Sequence, residues 1–114
     1  MHELSVTEGI LNIALDEAGK HNVKHITSIK LKIGNLSGVM PQLIQDYFDL
    51  LTKDTVADGA KLVIERIPAA IMCEECHEES IIDKFKLRCP KCNSIEVKIT
   101  SGKEFYIDSM EVED

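Results

Sequence analysis

The spacing of apolar residues changes along the chain, and each change marks an element. Between Leu4 and about Ala18, residues Leu4, Ile10, Leu11, Ala14, Leu15 and Ala18 fall within a little under half of a helical circumference, which predicts an amphipathic helix. Ser5-Val6-Thr7-Glu8 matches a capping box near its start, and Gly19 with Lys20 and His21 is a plausible stop. From His25 to Gly34 the period becomes two: Ile29, Leu31 and Ile33 alternate with Lys30 and Lys32, as in a strand with one buried face. A turn-rich link, Gly34-Asn35-Leu36-Ser37-Gly38, follows. Pro41 then stands where a first helical residue would, and Ile44, Tyr47, Phe48 and Leu51 form a second helical stripe ending near Lys53. Asp58-Gly59 precedes a strand from Ala60 to Ile67, closed by Pro68. Past Ser101-Gly102, Phe105 and Ile107 alternate with Tyr106, Asp108 and Met110 as a third main strand.

The order is helix, strand, helix, strand, a charged cysteine-bearing segment, then strand. One last strand needs a sheet to join, so the expected fold is α+β: about three strands and two helices, with a small four-cysteine zinc-ribbon-like module inserted. The expected boundaries are residues 1–68 and 100–114 for the α+β domain and 69–99 for the module. A length of 114 residues suits that plan, and the scarcity of aromatics (three Phe, two Tyr, no Trp) leaves the core to Leu, Ile and Val. The longest apolar run, Ala69-Ala70-Ile71-Met72-Cys73, is far too short to span a bilayer, and Met1-His2-Glu3-Leu4-Ser5 lacks the features of a secretory signal. The expectation is a cytoplasmic protein without a membrane partner. A net charge of −7 disfavours broad binding to phosphate backbones.

Cys73-Glu74-Glu75-Cys76 and Cys89-Pro90-Lys91-Cys92 are two C-x2-C pairs separated by twelve residues. Two such knuckles supply four thiolates around one ion, a set that suits structural Zn²⁺, with a short hairpin through Ile81–Leu87 between them. Disulfides, an iron–sulfur cluster and a thioredoxin-like pair are the rivals; a cytosolic setting and the symmetrical pairing favour zinc. Cys73-Glu74-Glu75-Cys76-His77 also matches a haem-attachment string, but that reading leaves Cys89 and Cys92 idle. Across Ile71–Ile99 the net charge is −1 before the tetrathiolate adds to it, and only Phe85 is an aromatic able to stack on a base, so nucleic acid is disfavoured. Four thiolates leave no open position for a catalytic zinc.

No phosphate loop, nucleophile elbow or two-His metal helix is present, which argues against an enzyme. The remaining unusual position is His2. A second residue of this size disfavours removal of the initiator Met. The Met1 amine, the His2 backbone nitrogen and the His2 imidazole can then close adjacent chelate rings on one metal, completed by Glu3 through its backbone or carboxylate. Such a nitrogen set favours Ni²⁺ or Cu²⁺. By residue type alone, the commoner reading of a lone His here is an exposed residue on a frayed terminus.

Met1-His2-Glu3-Leu4-Ser5, the stretch Leu31-Lys32-Ile33-Gly34-Asn35-Leu36-Ser37-Gly38-Val39, and the two Cys pairs occur in this order at this length. Together they closely resemble the HypA/HybF family of hydrogenase-maturation nickel chaperones. The resemblance implies Ni(II) held reversibly at Met1, His2 and Glu3, and structural Zn(II) at Cys73, Cys76, Cys89 and Cys92. It also implies delivery of nickel for maturation of [NiFe]-hydrogenase, with a nickel-handling accessory GTPase (HypB type) and the hydrogenase large subunit as partners. Some family members also serve urease. The chain lacks the longer insert, with an additional His, that some archaeal members carry between the Cys pairs.

The expectation is therefore a non-enzymatic nickel metallochaperone, a monomer or weak homodimer; the alternative is a small zinc-ribbon adaptor binding protein or nucleic acid. His77 is a candidate for tuning the zinc site, though an exposed hairpin His is the commoner reading. His21 and His25 are expected to be solvated. Asn35, Ser37 and Gly38 have ordinary turn chemistry, and Glu74, Glu75, Glu78 and Glu79 read by default as a solvated face.

Overall fold

The computed structural model describes residues 2–113. Its elements are α1 (Glu3–Lys20), β1 (His25–Gly34), α2 (Pro41–Leu51), β2 (Lys61–Ile67), β3 (Ala70–Cys73), β4 (Glu79–Ile81), β5 (Val97–Ser101) and β6 (Phe105–Glu113). They form two three-stranded sheets, ordered β2-β1-β6 and β4-β3-β5. The expected α+β class with two helices, a small sheet and a four-cysteine module is observed. By contact the chain divides into one unit of residues 1–31, 39–65 and 106–114, and a second of residues 32–38 and 66–105.

In the first unit, Ile10, Leu11, Ala14 and Ala18 of α1 are buried with Ile26, Ile29 and Leu31 of β1 and with Ile44 and Phe48 of α2. Aliphatic side chains at helical and strand periods thus supply the core, as expected. The α1 stripe is shifted, however. Leu4 is 47% exposed, whereas Glu3 and Thr7 are buried. Thr7 remains satisfied because its hydroxyl donates to the Glu3 carbonyl at 2.6 Å, and Thr52 does the same to the Phe48 carbonyl at 2.8 Å.

The helix ends differ in part from the sequence expectation. No capping box forms: His2 is the N-cap, so Ser5 lies inside the first turn. α1 ends at Lys20 with His21 as its C-cap, within the expected stop, although Gly19 is not the residue that turns left-handed. Asn22 takes the left-handed conformation (φ 53°) beyond the end, and the Val23 N–H returns to the Ala18 carbonyl at 3.0 Å, as in a Schellman closure. Pro41 opens α2 as anticipated, with Met40 as its N-cap, and α2 ends at Leu51, two residues short of Lys53. On β6 the alternation holds for Phe105 to Asp108 and then fails, because Met110 is half-buried.

In the second unit, β3 is the central strand. It pairs antiparallel with β4 through Ile71↔Ser80 and with β5 through Ile71↔Ile99, and a bulge lies between Ala70 and Ile71. Ile71, Cys73 and Cys89 form its buried core, with Cys76, Ile82, Val97 and Ile99 packed around them. The hairpin expected through Ile81–Leu87 is not formed. The first cysteine knuckle is itself the β3–β4 turn, and β5, which the alternation of Val97 and Ile99 with Lys98 foreshadows, completes the sheet. Gly34 and Gly102 meet here. A Cβ on Gly34 would overlap the Gly102 carbonyl, while Gly102 has φ 115° and its carbonyl accepts the Leu36 N–H at 2.6 Å.

Candidate metal centre

The two C-x2-C pairs fold into two copies of one turn. In the first, the Cys73 carbonyl accepts the His77 N–H at 3.0 Å and the Cys73 Sγ accepts the Cys76 N–H at 3.4 Å. In the second, the Cys89 carbonyl accepts the Asn93 N–H at 2.8 Å and the Cys89 Sγ accepts N–H groups of Lys91 and Cys92, each at 3.4 Å. The residue closing each turn is left-handed, His77 at φ 59° and Asn93 at φ 66°. The chain leaving each turn closes it further: Cys73 N–H donates to the Glu78 carbonyl at 3.0 Å, and Cys89 N–H to that of Ser94 at 2.9 Å. A C-x2-C sequence supports this turn because two intervening residues suffice to reverse the backbone while both thiols face inward.

All four Sγ atoms lie within 4.8 Å of one another. Cys73 and Cys92 sulfurs are 3.5 Å apart, and those of Cys76 and Cys89 are 3.6 Å apart. A tetrahedral ion with bonds of about 2.3 Å places its sulfurs about 3.8 Å apart, so the donor set fits one zinc-sized ion. These separations exclude disulfides between the close pairs, and convergence of both pairs leaves none idle, against a haem attachment. Cys73 and Cys89 are buried and Cys92 is exposed. Four sulfur donors closing on one point would leave a bound zinc no free position, which is the pattern of a structural site.

Electrostatics divide the four thiols, lowering Cys73 and Cys89 and raising Cys76 and Cys92. The backbone N–H groups of Cys92 and Lys91 outweigh desolvation and, with the Cys76 and Cys92 side chains, bring the Cys89 thiol down to about 7. The Cys76 N–H likewise holds Cys73 below its ordinary value. For Cys92, the Ser94 N–H pulls down but is overcome by the Cys73 thiol, burial and the other two sulfurs, which push it up to about 12. Like charges crowded this closely cannot all ionise without a cation, and that is the condition a bound metal relieves. Lys91 pairs with Glu78 at 3.2 Å and Lys98 with Glu74 at 3.6 Å, so two members of the acidic string are held in ion pairs within the unit.

The other candidates are dispersed. His2 is exposed and its carbonyl accepts the Val6 N–H at 3.0 Å, which anchors the start of α1. Met1 lies outside the described residues. Glu3 is buried, and its carboxylate accepts the Met40 N–H at 3.1 Å. That second use of Glu3 is invisible to local patterns. His77 is exposed and holds its position through its backbone. His21 is exposed and lies 3.6 Å from Glu17, whereas His25 is half-buried and donates from Nε2 to the Asp58 carbonyl at 2.9 Å rather than being merely solvated. In the Gly34–Gly38 loop, Asn35 N–H reaches the Ile67 carbonyl at 2.9 Å and Ser37 N–H that of Gly34 at 3.1 Å, so backbone bonding fixes the turn.

Comparison with known proteins places these features in context. The family model described as "Hydrogenase/urease nickel incorporation, metallochaperone, hypA" matches residues 1–112. The chain is 43% identical over 114 residues to the hydrogenase maturation factor HypA of Caldanaerobacter subterraneus subsp. tengcongensis, covering 99% of this chain and 100% of the relative. It is 42% identical over 113 residues to that of Moorella thermoacetica, at the same coverage. A solution structure of a HypA protein superposes with a TM-score of 0.71 at 27% identity, covering 98% of this chain and 96% of that one. The Ni metallochaperone HypA from Helicobacter pylori, at 24% identity and a TM-score of 0.67 over 98% of this chain and 97% of that one, shares the fold. No helix among the described residues is long and apolar enough to cross a membrane.

Proposed function

Because this chain belongs to the HypA family of metallochaperones, which are maturation factors rather than enzymes, we propose that it binds Ni(II) at its N-terminus and delivers it for maturation of [NiFe]-hydrogenase. The observation that carries the reading is the state of the first turn. His2 is exposed at the N-cap of α1, and Glu3 is the first helical residue, in the turn whose N–H groups point back toward the terminus. The nickel-binding group is the Met1 amine, the His2 backbone nitrogen and imidazole, and Glu3. Since the Glu3 carboxylate is buried and bonded to Met40, Glu3 contributes through its backbone.

Such a site suits a carrier. A terminal amine and an imidazole hold the ion against solution, and protons compete for both, so the cargo is released to a stronger site. The nickel-binding part comprises residues 1–68 and 100–114. Residues 69–99 form the zinc-binding part, in which Zn(II) bound by Cys73, Cys76, Cys89 and Cys92 supplies structure rather than reaction chemistry. The accessory GTPase of the pathway and the hydrogenase large subunit are the proposed partners, in the cytoplasm, where thiols stay reduced.

Titration of Ni²⁺ into the untagged protein and into His2→Ala tests this. One equivalent should bind the first and be lost from the second; undiminished binding by His2→Ala overturns the proposal. An added N-terminal tag separates it from the zinc-ribbon adaptor reading, since the tag should abolish nickel binding here and would leave an adaptor unaffected.

A further inference from the structure

The loop between the two cysteine knuckles has a surface that metal binding does not use. We propose that it is a docking site for an acidic segment of a partner protein in which carboxylates alternate with aliphatic side chains. Residues Lys84 to Lys91 hold Lys84, Lys86, Arg88 and Lys91 and no carboxylate, although the chain carries a net charge of −7. Four of its 13 Lys and Arg residues are therefore concentrated in eight positions. Lys91 is used by Glu78, but among the described residues no carboxylate pairs with Lys84, Lys86 or Arg88.

Apolar groups alternate with these charges and face water. Phe85 is 82% exposed with the Lys84 ammonium 5.0 Å from its ring centroid, and Ile81 is 70% exposed. Leu87, between Lys86 and Arg88, is exposed as well. A cavity of about 320 Å³ opens beside them, where Lys86 and Arg88 outnumber the one carboxylate, Asp83, and where the metal ligand Cys89 forms part of the wall with Ile81 and Ile82. The tip of the loop holds its shape through local bonds: Phe85 N–H donates to the Asp83 carboxylate at 2.9 Å and Lys86 N–H to the Asp83 carbonyl at 2.9 Å.

Alternating cations and apolar groups match a segment with the opposite charge and the same alternation. Charge complementarity selects and steers such a segment, while burial of Phe85, Leu87 and Ile81 supplies the affinity. A protein fits better than RNA. A single exposed aromatic makes a poor stacking platform for bases, whereas exposed Ile81 and Leu87 suit aliphatic side chains. A chain that carried no nickel would still present this face.

The test uses the zinc-loaded full-length protein and a short fluorescein-labelled peptide of alternating Glu and Leu, followed by anisotropy. Binding should weaken by about tenfold in Phe85→Ser and by more in Lys84→Glu/Lys86→Glu, and raising the salt should weaken it further. Zinc content and Ni²⁺ binding should remain those of the parent. Three results overturn the proposal: no binding of the peptide to the parent protein, equal binding by the charge-reversed variant, or an oligoadenylate RNA bound as tightly as the peptide. Loss of zinc from the charge-reversed variant also overturns it, because the cations would then serve to balance the thiolate centre. Nickel binding is read separately through His2→Ala, so failure here and failure of the nickel reading are distinguishable.

Discussion

The Glu3 carboxylate accepts the backbone N–H of Met40 across 37 residues, at 3.1 Å. Met40 is the N-cap of α2, whose first turn holds no acidic residue of its own, so Glu3 places a negative charge at the positive end of that helix. The side chain of a residue whose backbone is proposed to hold nickel thus ties the start of α1 to the start of α2. Glu3→Ala should lower stability by about 0.5–1.5 kcal/mol, the net worth of a part-buried hydrogen bond. Glu3→Gln keeps an acceptor at the same reach and should lose less. Denaturant midpoints rank the three proteins. Nickel titration of Glu3→Gln should match the parent if the backbone is the contributing group, and loss of binding there would assign the carboxylate to the metal.

His77 takes up φ 59°, a conformation that disfavours side chains and favours glycine. Asn93 occupies the equivalent place in the second knuckle and tolerates it better, with its side-chain oxygen accepting from Arg88 at 3.2 Å. His77→Gly should therefore keep one zinc per chain and raise stability by up to about 1 kcal/mol, less the entropy glycine adds to the unfolded chain. His77→Val should cost more than about 1 kcal/mol, because a β-branched residue is strained there. Metal analysis and thermal melts of the zinc-loaded variants decide it. Zinc loss from His77→Gly would show that the imidazole, rather than the backbone, matters.

Much of the fold is legible locally. Ile29, Leu31 and Ile33 specify their strand through alternation, Pro41 marks a helix start through its fixed φ, and two C-x2-C pairs announce a shared ion because the turn they make is short-range. What stays hidden depends on partners distant in sequence. Glu3 looks solvated until Met40 arrives, and Leu4 looks buried until Glu3 and Thr7 take its place. The hairpin expected over residues 81–87 is absent because the first knuckle already supplies a turn, which frees residues 82–88 from making one. Asn22 rather than Gly19 closes α1, since only the three-dimensional path decides which residue must be left-handed.

Two glycines should respond oppositely to the same change. Gly9 lies inside α1 with open space where a methyl group would project, so Gly9→Ala should stabilise by about 0.5–1 kcal/mol through helix propensity. Gly34→Ala drives a Cβ into the Gly102 carbonyl and should destabilise by about 1–3 kcal/mol or more, as backbone must move to admit it. Urea melts of the two variants provide the comparison, and equal effects would contradict the close approach of Gly34 to Gly102.

Zinc and helix should part company on chelation. In the second unit the buried cluster under the β4-β3-β5 sheet is Ile71, Cys73 and Cys89, two of them metal ligands, so without a metal that sheet loses much of its cohesion. The first unit has its own core in α1, β1 and α2. Cys73→Ser, or treatment with a strong chelator, should abolish zinc binding and broaden the amide resonances of β3, β4 and β5, while the helical circular dichroism of α1 and α2 persists. Collapse of the helical signal together with the zinc would make the metal a stabiliser of both units.

Lowering the pH from about 8 to about 5 should release nickel before zinc. Protons compete with Ni²⁺ for an amine and an imidazole, neither of which is held by a second metal-binding thiolate. The thiolate of Cys89 is instead held by the Cys92 and Lys91 N–H groups, with its thiol down at about 7 before any metal adds its own attraction. For a group lowered in this way, the contribution to stability is complete above its ordinary value and fades only as the pH falls through the lowered one. Bound zinc pushes that loss further toward acid, since the ion favours thiolates at all four sulfurs. Equilibrium dialysis at stepped pH, with both metals counted, measures the order of release. Departure of zinc at the same pH as nickel would contradict a four-thiolate site distinct from the N-terminal one.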